Sequence, residues 1–170
     1  MQQSGISRWI KLGAGALLLN LLLISPNHPG AVTWQALSMV AIELPMLLLT
    51  LVLLPVHSRV NRAVRITLVV VIMGAFVLKG ADFVMRLAFE RHFNLITDWN
   101  LVWAGWATLA GAIGTALAGL GLLALVATLC ALTWLLWKSL QVWSNVTAPP
   151  RVTAGGYAAM LVLGSLAVAD

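Results

Sequence analysis

Charged side chains are scarce in this sequence. They make up 9% of its residues, whereas hydrophobic residues make up 61%, and the mean hydropathy is +0.98. A soluble globular domain has about a quarter charged and about half apolar residues, so composition alone predicts an integral membrane protein. The net charge of +5 therefore does not indicate a nucleic-acid partner, and the expected partners are membrane lipids.

Residues that build catalytic or metal sites are also few. The one cysteine, Cys130, excludes a disulfide framework and a thiolate metal cluster within these residues. His28, His57 and His92 all lie in predicted connections, so no imidazole is expected at membrane depth as a ligand of haem or chlorophyll. There is no glycine-rich phosphate loop and no zinc-protease or paired-cysteine motif. We predict no catalytic residue, metal site or cofactor here other than bound lipid.

Long apolar runs make up most of the chain. Because a transmembrane helix needs about 20 residues, the length of 170 residues leaves room for four or five of them. The predicted fold class is an all-α integral membrane protein, a single membrane domain with five transmembrane helices, or four at minimum. The predicted spans are residues 8–25, 33–54, 66–88, 115–137 and 152–169.

Charged residues recur at the end of the third predicted span. Lys79, Asp82, Arg86 and Glu90 are spaced three, four and four apart, which on a helix gives one stripe of alternating charge. The stripe fits either a structural ion-pair ladder that docks the helices or a functional polar site, such as an ion path or a lipid-headgroup contact. Glu43 lies at a similar predicted depth in the second span, so we predict a Glu43–Lys79 pair and an intramembrane polar cluster. Its members are Glu43, Lys79, Asp82 and Arg86.

Backbone-breaking and small residues modify two of the spans. Pro45 lies near the middle of the second span and predicts a kink there. Glycines and alanines are frequent at the start of the fourth span, which predicts a tightly packed helix, because small residues let helices approach closely.

Three tryptophans follow the charged stripe. Trp99, Trp103 and Trp106 are spaced four and three apart and share one helical face. Thr97 or Asp98 can cap the start of this helix. We predict a short interfacial helix over residues 99–111, since indoles favour the headgroup region. Ordinary packing against the bundle is an equal alternative, and a lipid- or carbohydrate-binding platform is a third.

The distribution of basic residues predicts the orientation. With five spans and the N-terminus inside, two basic residues, Arg86 and Arg91, fall outside, and Lys79 falls within the membrane. In a bacterial inner membrane, the expected location, the positive-inside rule then predicts a cytoplasmic N-terminus and an extracytoplasmic C-terminus at Asp170. The basic residues on the inner side are Arg8, Lys11, Arg59, Arg62, Arg65, Lys138 and Arg151.

Short patches across nearly the whole chain resemble the N-terminal membrane region of bacterial membrane-bound sulfatase-like proteins, in the alkaline phosphatase superfamily. The patches are Ser25-Pro26-Asn27-His28-Pro29, Ile42-Glu43-Leu44-Pro45, Lys79-Gly80-Ala81-Asp82, residues 93–99 and Gly111-Ala112-Ile113-Gly114. The resemblance implies a five-helix module followed by an extracytoplasmic metal-dependent hydrolase or transferase domain. That domain is not in this sequence, so no catalytic residue is carried over.

Three functions remain open at this point. The chain is the non-catalytic membrane-anchoring part of a sulfatase-like protein, or it is an accessory subunit of a larger respiratory or photosynthetic membrane complex. A small transporter that uses the intramembrane polar cluster is the third, but no inverted repeat is visible in the sequence.

Overall fold

The computed structural model describes residues 3–146, and this range contains helices and connections without a strand. The predicted fifth span, residues 152–169, lies outside the described residues, as do Arg151 and Asp170. The helices are α1 (Gln3–Leu23), α2 (Trp34–Ser38), α3 (Glu43–Leu53), α4 (Arg59–Phe89), α5 (Trp99–Ile113) and α6 (Thr115–Ser144), with a short 3-10 helix at Pro29–Ala31.

Three of these helices are long and apolar enough to cross a membrane. They are Ile6–Leu23 within α1, Arg59–Phe89 and Thr115–Ser144. The all-helical class is therefore confirmed for the described residues, and the three candidate spans agree with a membrane protein. The predicted count of five spans is not confirmed. The other described helices are shorter, and α3 has 11 residues, which corresponds to about 16 Å of helix against a hydrocarbon core of about 30 Å.

The predicted second span, residues 33–54, is not one continuous helix. It is divided into α2 and α3 by a break at residues 39–42. The predicted mid-helix kink at Pro45 is therefore wrong, because Pro45 lies in the first turn of α3. A proline there costs little, since the first turn has no intrahelical acceptor for its missing N–H.

Asn20 of α1 bonds to the backbone of this break. Its Nδ2 donates to the carbonyl of Met39 at 3.0 Å, and its Oδ1 accepts from the N–H of Ala41 at 2.9 Å. The side chain is 8% exposed. An interrupted helix leaves backbone N–H and C=O groups without intrahelical partners. In an apolar medium, such groups need another hydrogen-bond partner. One asparagine supplies both a donor and an acceptor.

The core lies where α1, α3, α4 and α6 meet. It is built of leucines with one isoleucine and one methionine, and several of these side chains are fully buried. Helix α1 packs along the C-terminal half of α6, where Gly15 lies against Ser139. The core residues are Leu19, Leu22, Leu44, Leu51, Ile72, Met73, Leu136 and Leu140.

Two contacts place the start of α1, the start of α4 and the end of α6 at one end of the bundle. The indole Nε1 of Trp143 donates to the carbonyl of Leu12 at 3.1 Å. The guanidinium of Arg65 stacks on Trp137, 4.7 Å from the ring centroid. We call this the basic end. It gathers Arg8, Lys11, Arg59, Arg62, Arg65 and Lys138.

The N-terminal half of α6 differs from the predicted tight packing. A Cβ atom placed on Gly119 or Gly121 would have no neighbour within 4 Å. Its leucines, such as Leu120 and Leu123, are more than 60% exposed. Small residues permit close helix approach without supplying a partner.

Candidate functional site

The candidate site lies at the opposite end from the basic end, where α4 ends and the chain turns into α5. Helix α4 ends at Phe89, and Glu90 adopts the left-handed conformation with φ 54°. Glu90 therefore lies outside the helix. The prediction that it extends the stripe of alternating charge is wrong. The left-handed residue ends the helix and turns the following segment back towards the α4 surface.

Asp82 holds that returning segment. Its Oδ1 accepts from the backbone N–H of Phe93 at 2.7 Å. Its Oδ2 lies 3.2 Å from Nδ1 of His92 and 3.8 Å from Nε of Arg86. The Nη2 of Arg86 also lies 2.6 Å from Nε2 of His92. Asp82, Arg86 and His92 thus form a compact polar group in which the carboxylate fixes the connection.

A second carboxylate stabilises the same connection. Both Nη atoms of Arg91 donate to Asp98, at 2.9 and 2.7 Å, and the N–H of Asn94 donates to it at 2.8 Å. Asp98 is 3% exposed. These contacts lower the pKa of Asp98, chiefly through the hydrogen bond from Arg91, and raise the pKa of Arg91. Asp98 is the N-cap residue of α5 by position, but its side chain makes no cap hydrogen bond because it bonds to Arg91 and Asn94 instead.

The predicted Glu43–Lys79 pair is wrong. The Nζ of Lys79 donates to the carbonyl of Leu23 at 2.7 Å, at the last residue of α1. Glu43 is exposed in the first turn of α3, and no ion pair joins it to another residue within the described range 3–146. Similar depth in the membrane did not identify the partner of Lys79. A free carbonyl at a helix end is itself a strong acceptor for an ammonium group, so Lys79 needs no acidic partner.

The predicted intramembrane polar cluster is therefore only partly brought together. Asp82 and Arg86 are adjacent, Lys79 contacts α1, and Glu43 is separate.

Together with Asn27, His92 and Phe93, Lys79 and Asp82 line an open cleft of about 360 Å³. An aspartate beside a histidine can orient an imidazole as a base. No group of three or more His, Cys, Asp or Glu residues suited to a metal ion occurs in the part of the chain that the structure describes.

The three predicted aromatic residues lie on α5. Trp99 and Trp103 are 65% and 73% exposed, and Trp106 is partly buried. Two indoles of the shared face are therefore exposed, and the third is partly covered. This arrangement suits an interfacial helix, and the placement of α5 in a membrane interface stays a prediction.

Sequence reasoning missed the residues that bond across the connection, His92, Arg91 and Asp98. The available signal was the pair of opposite charges seven residues apart, around the helix-breaking residues 93–97. The bidentate arginine–carboxylate pair, a strong interaction, closes this connection.

Comparisons with known proteins add no identity. No protein-family model matches the chain, no curated protein matches it, and no solved structure matches it.

Proposed function

We propose that this chain is a non-catalytic membrane-anchoring module, the membrane part of a sulfatase-like extracytoplasmic hydrolase or transferase. The observation that carries the first half of the proposal is how the charged groups are used. Lys79 bonds to a helix end, Asp82 to the N–H of Phe93, and Asp98 to Arg91 and the N–H of Asn94. Side chains that bond to the backbone in this way hold a connection in place.

The second half rests on the resemblance of its short sequence patches to sulfatase-like proteins. In this reading the chain is the part of a bacterial protein that crosses the inner membrane, with the basic end in the cytoplasm. The clustering of six basic residues at one end of the bundle supports that orientation through the positive-inside rule. The polar connection after α4 would then face the extracytoplasmic side, where the enzyme domain would act.

The proposal is tested by the mass of the protein in its native membrane. An antibody against residues 91–98 would be used on membranes of the source cell, separated on a denaturing gel. The proposal expects a band far above the 18.2 kDa of this chain, with the excess mass released by protease added from the extracytoplasmic side. A band near 18.2 kDa would contradict the anchoring proposal.

A specific observation favours a second candidate, an accessory subunit of a larger membrane complex. The N-terminal half of α6 exposes both apolar side chains and glycines whose surroundings are open, including Gly119 and Gly121. Small residues at helix surfaces permit close contact with another transmembrane helix. In the same experiment, this candidate expects a band near 18.2 kDa that migrates with other subunits on a native gel after mild detergent extraction.

A further inference from the structure

A second cleft lies at the basic end, where α3 leads into α4. It has a volume of about 460 Å³ and opens to the surface. Arg59, Arg62 and Arg65 line it, together with Ser58 and the apolar side chains of Val56 and Ile66. The three arginines are spaced three residues apart on α4, so they follow one side of the helix over about 9 Å.

The arginines of this cleft have no acidic partner in the part of the chain that the structure describes. The ion pairs of residues 3–146 involve Asp82 and Asp98, which lie at the other end of the bundle. The Nε of Arg65 is buried and has no hydrogen-bond partner there. An oxyanion in the cleft would give the guanidinium groups that line it the acceptor that no acidic residue supplies.

The start of α4 adds to this positive field. Ser58 is its N-cap, and the Ser58 hydroxyl accepts from the N–H of Asn61 at 3.0 Å. The N–H groups of the first turn carry a partial positive charge, which favours an anion beside the three guanidinium groups.

We propose that this cleft binds the phosphate headgroup of an anionic phospholipid. The choice of a lipid over a free phosphate follows from position and from the mixed lining. The cleft lies at the end of the apolar helix Arg59–Phe89, where headgroup phosphates meet a membrane protein. Its polar side can bind phosphate, while Val56 and Ile66 can contact the acyl chains. The inference concerns a different part of the molecule from the proposed anchoring function and does not depend on it.

Lipid binding is measured on the full chain in a neutral detergent. Without a charged bilayer, general attraction between the basic protein and a membrane surface does not contribute to the measured affinity. Phosphatidylglycerol and phosphatidylcholine are titrated separately, and bound lipid is counted by native mass spectrometry. We expect the wild type to bind phosphatidylglycerol about 10-fold more tightly than phosphatidylcholine, given charge-assisted bonds from several arginines. Equal affinity for the two lipids would overturn the proposal without any variant.

A pair of matched variants then locates the site. Arg59→Gln with Arg62→Gln removes two exposed charges in the cleft, and Arg8→Gln with Lys11→Gln removes two exposed charges at the same end outside it. We expect the first pair to weaken phosphatidylglycerol binding about 10-fold and the second less than about 2-fold. Equal losses would show diffuse attraction and overturn the proposal. Displacement of the lipid by glycerol 3-phosphate at equal concentration would also overturn it, because the free phosphate would then be the ligand.

Discussion

Replacing Asn20 with leucine tests how the break between α2 and α3 is held. The substitution keeps the branched shape and the number of heavy atoms of the side chain and removes both hydrogen bonds, to the carbonyl of Met39 and from the N–H of Ala41. Each such bond contributes about 1 kcal/mol net to the free energy of unfolding. The backbone N–H and C=O groups that the substitution leaves without a hydrogen-bond partner in an apolar medium add to the loss. We therefore expect a destabilisation of about 2–4 kcal/mol, which for a chain of this size is a lower melting temperature by roughly 5–12 °C.

The assay is thermal unfolding in detergent, followed by the circular dichroism of the helices. Asn100→Leu is the matched control, because Asn100 is exposed on α5, and a change there is expected to stay within about 0.5 kcal/mol. An Asn20→Leu protein as stable as the wild type would refute the assignment of this side chain as the partner of the broken helix.

Three further predictions concern single contacts. Lys79→Met is expected to lower the free energy of unfolding by about 1.5–3 kcal/mol through loss of the charge-assisted bond to Leu23. Lys79→Arg is expected to retain most of the stabilisation from this bond. Equal stability of the two variants would contradict the contact. Because the pKa of Asp98 is lowered from its ordinary value of 3.8, its stabilisation of the connection is present above that value and is lost as the pH falls below it. The amide of Asn94 should then exchange hydrogen faster at low pH relative to its intrinsic rate, an effect that Asp98→Asn should abolish. Gly114 has φ 86° and ψ 150°, so Gly114→Ala should destabilise by about 1–3 kcal/mol, whereas Gly119→Ala, a helical position with open surroundings, should be neutral or slightly stabilising in the same melting experiment.

The sequence was sufficient for the three long helices and insufficient for their polar partners. Apolar run length and composition predict α1, α4 and α6, because these depend on local properties of each segment. The partner of Lys79 could not be predicted in the same way, since it is the carbonyl of Leu23, and every residue has a carbonyl. Charge and depth alone indicate Glu43 as the partner.

The second predicted span shows the same difference between local and distant information. Apolar residues continue through residues 39–42, so hydropathy predicts one helix there. The break depends on Asn20, which is about 20 residues away along the chain and supplies the bonds that the interrupted backbone needs. Asp82 likewise binds the N–H of Phe93, beyond the end of its own helix. Such bonds become visible only when the helices are packed.

The central claim is that the basic end and the polar connection after α4 lie on opposite sides of a membrane. Two single-cysteine proteins test it, His57→Cys and Ile96→Cys, each combined with Cys130→Ala. Both positions are exposed, Ile96 at 89%. A membrane-impermeant maleimide is added to intact cells, with and without permeabilisation. We expect the cysteine at position 96 to react in intact cells and the one at position 57 to react only after permeabilisation. Labelling of both positions from the same side would contradict it.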